Sequence, residues 1–248
     1  MKRIPSHSFT LMALFGLILL ASCTDDYDEC FYLSNETVTK QYKLDEFEQI
    51  ESFVPGNYVL KQGKQHSIQL KGHPRYLDSI KTHVNQGKLL LSNRFPFCEN
   101  NTQVELVITM PKINYLFINA KSNITIEDFE KQENLYLNLS KKSFLEINRF
   151  EGLRKLYALL REEATIDSNE ALKKIDSLRV EIEGDGQFNG FKIPSKNVDV
   201  SILGKGYCEV NALEKLHVVI KGEANVIAKG MPLLYKRITG RGDVYFKD

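Results

Sequence analysis

The sequence predicts an all-β protein: a single-stranded parallel β-helix (a solenoid) of about seven coils of 18–22 residues, capped by an N-terminal β-rich block. Three observations carry that reading. Apolar residues recur at a spacing near 20, they alternate strictly with polar ones within each repeat, and small or polar turns fall at one fixed phase.

The repeat begins at residue 113. The last apolar residues of its first strand are Ile118, Leu139, Leu160, Ile182, Ile202, Ile220 and Ile238, spaced 21, 21, 22, 20, 18 and 18 apart. Six residues after each stand Ile124, Leu145, Ile166, Phe188, Cys208, Val226 and Val244. Eight residues after each stand Ile126, Ile147, Ser168, Gly190, Val210, Ala228 and Phe246. None of these slots holds a charge. An alternation of two marks strands with one buried face. A period near 20 is too short for a βαβ unit, which needs at least about 30 residues. It fits one solenoid coil, in which like residues stack on their neighbours.

Turn chemistry agrees. Gly184-Asp185-Gly186, Gly204-Lys205-Gly206 and Gly240-Arg241-Gly242 all lie between the two strand positions of their coils. Glycine there accepts the positive φ of a sharp bend. Earlier coils place Ala120–Asn123, Ser140–Ser143 and Arg161–Ala164 at that phase. Residues 152–164 and 171–178 favour helix by local propensity. Propensity is a weak prior, and both stretches keep the register, so they are assigned to strand and turn.

Residues 44–112 follow another pattern. Tyr58-Val59-Leu60, Ser67–Leu70, Lys88–Leu91 and Val104–Thr109 read as strands separated by turns at Gly63, Gly72 and Gly87, with a short helix over Pro74–Ile80. This block is expected to start the same sheet and to cover the solenoid end, which needs a cap.

The first 43 residues are of a different kind. Lys2 and Arg3 precede an apolar run, Phe9–Leu20, of about 12 residues, shorter than the roughly 20 that span a bilayer. That is the anatomy of a signal peptide. Leu20-Ala21-Ser22-Cys23 resembles the lipobox of bacterial lipoproteins, which implies cleavage after residue 22 and acylation of Cys23. Two or more acyl chains anchor a protein stably where one does not. Thr24-Asp25-Asp26-Tyr27-Asp28-Glu29 then forms an acidic run, a solvated leash that also resembles the surface-export signal of lipoproteins in Bacteroidetes-type bacteria. The expected organisation is therefore 1–22 signal peptide, 23–43 tether and 44–248 solenoid domain, on the outer membrane and facing the cell surface.

Charge and cysteine count narrow the function. The formal charge of +1 comes from 33 basic and 32 acidic residues, and loss of Lys2 and Arg3 leaves 31 against 32. Such a balance excludes the strong basic field of a nucleic-acid binder. With Cys23 lipidated, Cys30, Cys98 and Cys208 remain. The repeat puts Cys208 in a core column, so Cys30 and Cys98 are the pair for which an exported compartment would permit a disulfide. The five histidines (His7, His66, His73, His83 and His217) are scattered, and neither they nor the cysteines show metal-ligand spacing. No cofactor or metal is expected.

Phe53, Gly56, Tyr58-Val59-Leu60 and Gly63 match an opening of the form F-x-x-G-x-Y-x-V-x-L-x-x-G. With the Gly-x-Gly coils and the ending Ile238-Thr239-Gly240-Arg241-Gly242-Asp243-Val244, the chain over residues 44–248 resembles the auto-transporter adhesin, head GIN domain family. The resemblance implies a β-solenoid and an adhesion label, and brings no catalytic residues. The Ser-Gly-Ser-Gly-Asp turns usual in that family survive here only in degraded form before residue 184.

One candidate site follows from parity. If Leu116, Leu135 and Leu156 point inward, then Phe117, Tyr136 and Tyr157 form an outward column on successive coils, continued by Arg179, Asp199 and His217. Stacked aromatics on an open face can act as a ligand platform for sugar rings or a partner. The competing reading is that the 44–112 block or the tether covers them. Arg241-Gly242-Asp243 spells an integrin-type tripeptide, but its position is that of an ordinary coil turn. Outward carboxylates such as Glu181 and Asp199 are expected to be solvated, and coils this short leave no room for the long loops that build polysaccharide-cleaving grooves.

The expected function is a lipid-anchored, non-catalytic envelope module for adhesion or display. Its partners would be the membrane through the N-terminal lipid, and a glycan or an envelope or surface protein. The alternatives are a β-helical carbohydrate-active enzyme and a regulatory lipoprotein.

Overall fold

The computed structural model describes residues 36–94 and 104–247. The signal peptide, Cys23, the acidic run and the Cys30–Cys98 pairing lie outside the described residues. The elements in chain order are β1 (Val38–Lys43), β2 (Gln49–Ser52), β3 (Gly56–Gln62), β4 (Ser67–Gly72), α1 (Pro74–Ser79), β5 (Ile80–Asn85), β6 (Lys88–Asn93) and β7 (Glu105–Met110). The repeats follow as β8 (Tyr115–Ile118), β9 (Ser122–Ile126), β10 (Asn134–Leu139), β11 (Phe144–Ile147), β12 (Lys155–Glu162), β13 (Thr165–Ser168) and β14 (Ile175–Gly184). The last are β15 (Gln187–Gly204), β16 (Tyr207–Gly222), β17 (Asn225–Lys229), β18 (Leu233–Gly240) and β19 (Asp243–Phe246).

The repeats form a parallel β-solenoid. On one face β8, β10, β12, β14, the second halves of β15 and β16, and β18 stack in parallel. On the other face run β9, β11, β13, the first halves of β15 and β16, β17 and β19. The path makes about six turns, against the about seven expected. The three predicted columns run through the interior except at the final coil, where Phe246 is exposed. Ile118 pairs with Leu139, and so on by steps to Ile238; Ile124 leads likewise to Val244. The two stretches of helical propensity are strand and turn. Burying each such side chain stabilises by about 1.5–3 kcal/mol, which overrides local preferences of a few tenths per residue.

The turns repeat one backbone geometry. Gly184, Gly204, Gly222 and Gly240 stack directly on one another, below Glu162, and all five have positive φ. A Cβ on Gly222 would sit 2.2 Å from the carbonyl oxygen of Gly204, so the late coils exclude any side chain there. Lys141 and Glu162 turn with φ of 64° and 56°, within the left-handed region that a non-glycine residue can adopt and well short of the 114–145° of the late glycines, so the early coils do without glycine there.

The N-terminal block extends the sheet, but out of sequence order. β2 pairs in parallel with both β6 and β8, and β3 with both β7 and β9. The coil 49–62 is thus held between the coil 88–110 and the first repeat. Beyond it the pairing turns antiparallel: β5 on β6, β4 on β7, and β1 on β4. The β5–β6 hairpin closes through Gln86-Gly87, both at positive φ, the two-residue turn that suits the strand twist. α1 follows β4, its first turn capped by the His73 ring, whose Nδ1 accepts from the Arg75 backbone N–H. The expected tether 23–43 is corrected at its end. Val38–Lys43 is a strand, because β4 offers it an unpaired edge and Val38 packs on the core. Its polar composition had made it read as leash.

Candidate functional site

The outward side of the first face carries the predicted aromatic residues, with one correction. Tyr136 and Tyr157 are direct neighbours on β10 and β12, and their column runs Tyr115, Tyr136, Tyr157, Arg179, Asp199, His217, Tyr235. Phe117 is not in it. Phe117 pairs with Asn138, one pleat along, because Leu116 stacks on Leu137 and not on Leu135. Parity had assigned the correct face, but a shift of two residues preserves parity and changes the row. Tyr115 is the residue that was missed, although it precedes Tyr136 by 21 residues, the same spacing that separates Tyr136 from Tyr157.

Phe117 still belongs to the same surface. Its ring packs edge-on against Phe53 at 5.6 Å, and its column continues through Glu51, Asn138, Leu159 and Glu181. The block 44–112 meets these aromatics through Phe53. It lengthens the sheet beside them, and Tyr136 is 49% exposed. The Tyr136 and Tyr157 rings meet at 5.8 Å and 61°, so one presents its edge to the face of the other.

Below Tyr157 the polar groups form a fixed set. The Tyr157 hydroxyl donates to Glu181 Oε2 at 3.0 Å, and Arg179 Nε donates to Glu181 Oε1 at 2.8 Å. The Arg179 guanidinium lies 5.5 Å over the Tyr157 ring. Burial, reinforced by the Glu181 carboxylate, pushes the Tyr157 phenol up to about 12. Arg161 bridges Asn138 and Glu183, at 2.9 Å to each. Glu181, expected to be solvated, is instead held from two sides, and Asp199 faces His217 Nδ1 at 3.2 Å. This arrangement offers aromatic edges and faces with a rigid rim of donors and acceptors.

The remaining motif residues serve the fold. In the opening motif, Tyr58 is buried and its hydroxyl joins Ser52 Oγ at 2.6 Å and the Val54 carbonyl. A Cβ on Gly56 would lie 2.5 Å from the Val104 carbonyl oxygen. In Arg241-Gly242-Asp243, Arg241 pairs with Glu223 and Asp243 with Lys236, so both charges are engaged within the chain. Cys208 is a buried free thiol between Phe188 and Val226, and burial pushes it far above the ordinary thiol range. Among the described residues no three or more His, Cys, Asp or Glu side chains gather closely enough to hold a metal ion.

Residues 46–232 match the family model described as "Putative auto-transporter adhesin, head GIN domain". The chain belongs to this GIN domain family. Solved structures share the GIN fold at low identity. A "putative adhesin" from Bacteroides fragilis superposes with a TM-score of 0.79 at 20% identity, over 86% of this chain and 98% of that one. A "putative lipid binding protein" from Parabacteroides distasonis gives 0.68 at 16% identity, over 87% and 98%. A "putative adhesin" from Parabacteroides merdae gives 0.60 at 16% identity, over 87% and 98%. No protein of curated function matches the chain. The GIN match stops one residue before β18, so the final coil lies outside it.

Proposed function

We propose that this protein is a non-catalytic binding module of the cell envelope, lipid-anchored through Cys23 and displayed at the outer surface of the outer membrane. It engages a glycan through the face bearing Tyr115, Tyr136 and Tyr157. The observation that carries this reading is the outward aromatic column on a rigid parallel sheet, with Tyr136 exposed between half-buried Tyr115 and Tyr157 and bordered by polar groups fixed in place by their own bonds. Aromatic surface left open at one place, with hydrogen-bonding groups beside it, is the composition of a recognition site. The family label of adhesin and the lipobox-like Leu20-Ala21-Ser22-Cys23 support the same reading.

Immobilised protein is incubated with a broad glycan panel, alongside Tyr136→Ala and Tyr157→Ala. Binding by the parent that falls at least tenfold in both variants supports the reading. Glycan binding that is unchanged in both removes the aromatic face from it, and release of cleaved sugar from any panel member shows the enzyme alternative instead. The anchor is tested separately. Cells fed a labelled fatty acid should label the parent and leave Cys23→Ser unlabelled, and protease added to intact cells should degrade a surface-displayed chain.

A further inference from the structure

The end of the solenoid formed by β18 and β19 differs from the end covered by β1, β4, β5 and α1. Among the described residues β18 pairs with β16 alone and β19 with β17 alone, so each presents one side of its backbone without a strand partner there. Large apolar side chains crowd there: Met231 is 97% exposed, and Leu233, Tyr235, Tyr245 and Phe246 are each more than half exposed. An open parallel edge with apolar neighbours is a template on which a further chain can pair.

One residue breaks that template. Along the first face an inward column runs Leu89, Ile50, Leu116, Leu137, Ala158, Val180, Val200 and Val218, buried at every coil. Its last member, stacked on Val218, is Lys236. Leu234 and Ile238 on either side keep the apolar pattern and pack on the core, so the lysine stands alone among core positions of β18. Its ammonium reaches Asp243 Oδ1 on the second face at 2.7 Å, and the pair spans the open end. Asp243 also accepts from the Val244 N–H at 2.8 Å, which fixes the carboxylate.

We propose that Lys236, held by Asp243, is a stop residue that ends the core column in a hydrated charge and keeps a second copy of this chain from stacking on the open end. A second copy settling there would have to strip water from Lys236 and Asp243 without supplying them a partner. Antiparallel pairing of two β18 edges about their midpoint would also set Lys236 and Arg237 of one copy against those of the other, and like charges directly opposite are unfavourable. An inward-pointing charge is one of the recognised ways an edge strand is protected.

The test is sedimentation velocity of the full chain in detergent solution across a concentration series, for the parent, Lys236→Val, Lys236→Met and Lys221→Val. Lys236→Val continues the valine column, whereas Lys236→Met keeps the unbranched stem and removes the charge. Lys221 points outward one coil earlier and controls for added apolar surface. The parent and Lys221→Val should remain single monomeric species. Both position-236 variants should form dimers or longer stacks, with self-affinity raised at least tenfold. Should Lys236→Val fail to fold by circular dichroism, Lys236→Met carries the test. Folded position-236 variants that stay monomeric overturn the proposal, as does a parent that already self-associates or a Lys221→Val variant that associates equally.

Discussion

Tyr157 and Glu181 sit on adjacent coils, offset by one pleat, and the phenol of the first donates to the carboxylate of the second at 3.0 Å. This bond turns an aromatic side chain on an otherwise open face into a fixed one. Replacing Tyr157 with Phe keeps the ring and removes the bond. On an incompletely buried site that should cost about 0.5–1 kcal/mol in denaturant unfolding, with Glu181 then held by Arg179 alone.

The raised Tyr157 phenol also has a pH signature. The neutral form is favoured in the folded state, so its stabilisation is complete below the unfolded value near 10. It is lost as pH rises through about 12. The parent should therefore lose more stability than Tyr157→Phe across that window, measured as the difference in their denaturation midpoints. Equal loss in both proteins would show that Tyr157 titrates in the folded state as it does when unfolded.

Asp176 carries the opposite signature. Lys196 and Arg154 both donate to it and lower its carboxyl to about 2. Its contribution is present above the unfolded value near 3.9 and is lost as pH falls from there through about 2. Asp176→Asn should lower the thermal midpoint at neutral pH, with the gap to the parent closing by pH 2.

The glycine ladder makes a paired comparison. Gly222 has φ +145° and no room for a Cβ beside Gly204, whereas Gly87 has φ +73° with nothing within 4 Å. Gly222→Ala combines a forbidden backbone with a backbone clash and should cost about 2–4 kcal/mol. Gly87→Ala meets the conformational penalty alone and should cost about 1 kcal/mol. Chemical denaturation of the two variants side by side checks the order.

Cys208 should be inert in the folded protein. Its thiol is buried and pushed toward the protonated form, and the thiolate is the reactive species. Mass mapping after brief exposure to a maleimide should find Cys208 unmodified, and modified once denaturant is added.

Much of the architecture was legible in the amino-acid order because stacking forces like residues into register. The columns from Ile118, Ile124 and Ile126 run through the core until the last coil, where Phe246 is exposed. What could not be read depended on pairings between distant segments. Parity identified the exposed side of residue 117 but left its row open, since a two-residue slip keeps every side chain on its face. Val38–Lys43 has the polarity of a linker, and only the free edge of β4 makes it a strand. The placement of β2 between β6 and β8 has no local signal, because each of the three presents the same alternation.

That interleaving sets an order of events. A chain made from its N-terminus presents residues 49–62 before either of the strands that will flank them exists. β2 and β3 find no parallel partner until residues 88–93, 105–110 and 115–126 have followed. The repeats beyond can add coil upon coil by local contacts, whereas this coil closes only across long loops, the slow kind of step in folding. The coil 49–62 is thus held from both sides only once residue 126 has been made, whereas each later coil can settle on the coil made just before it.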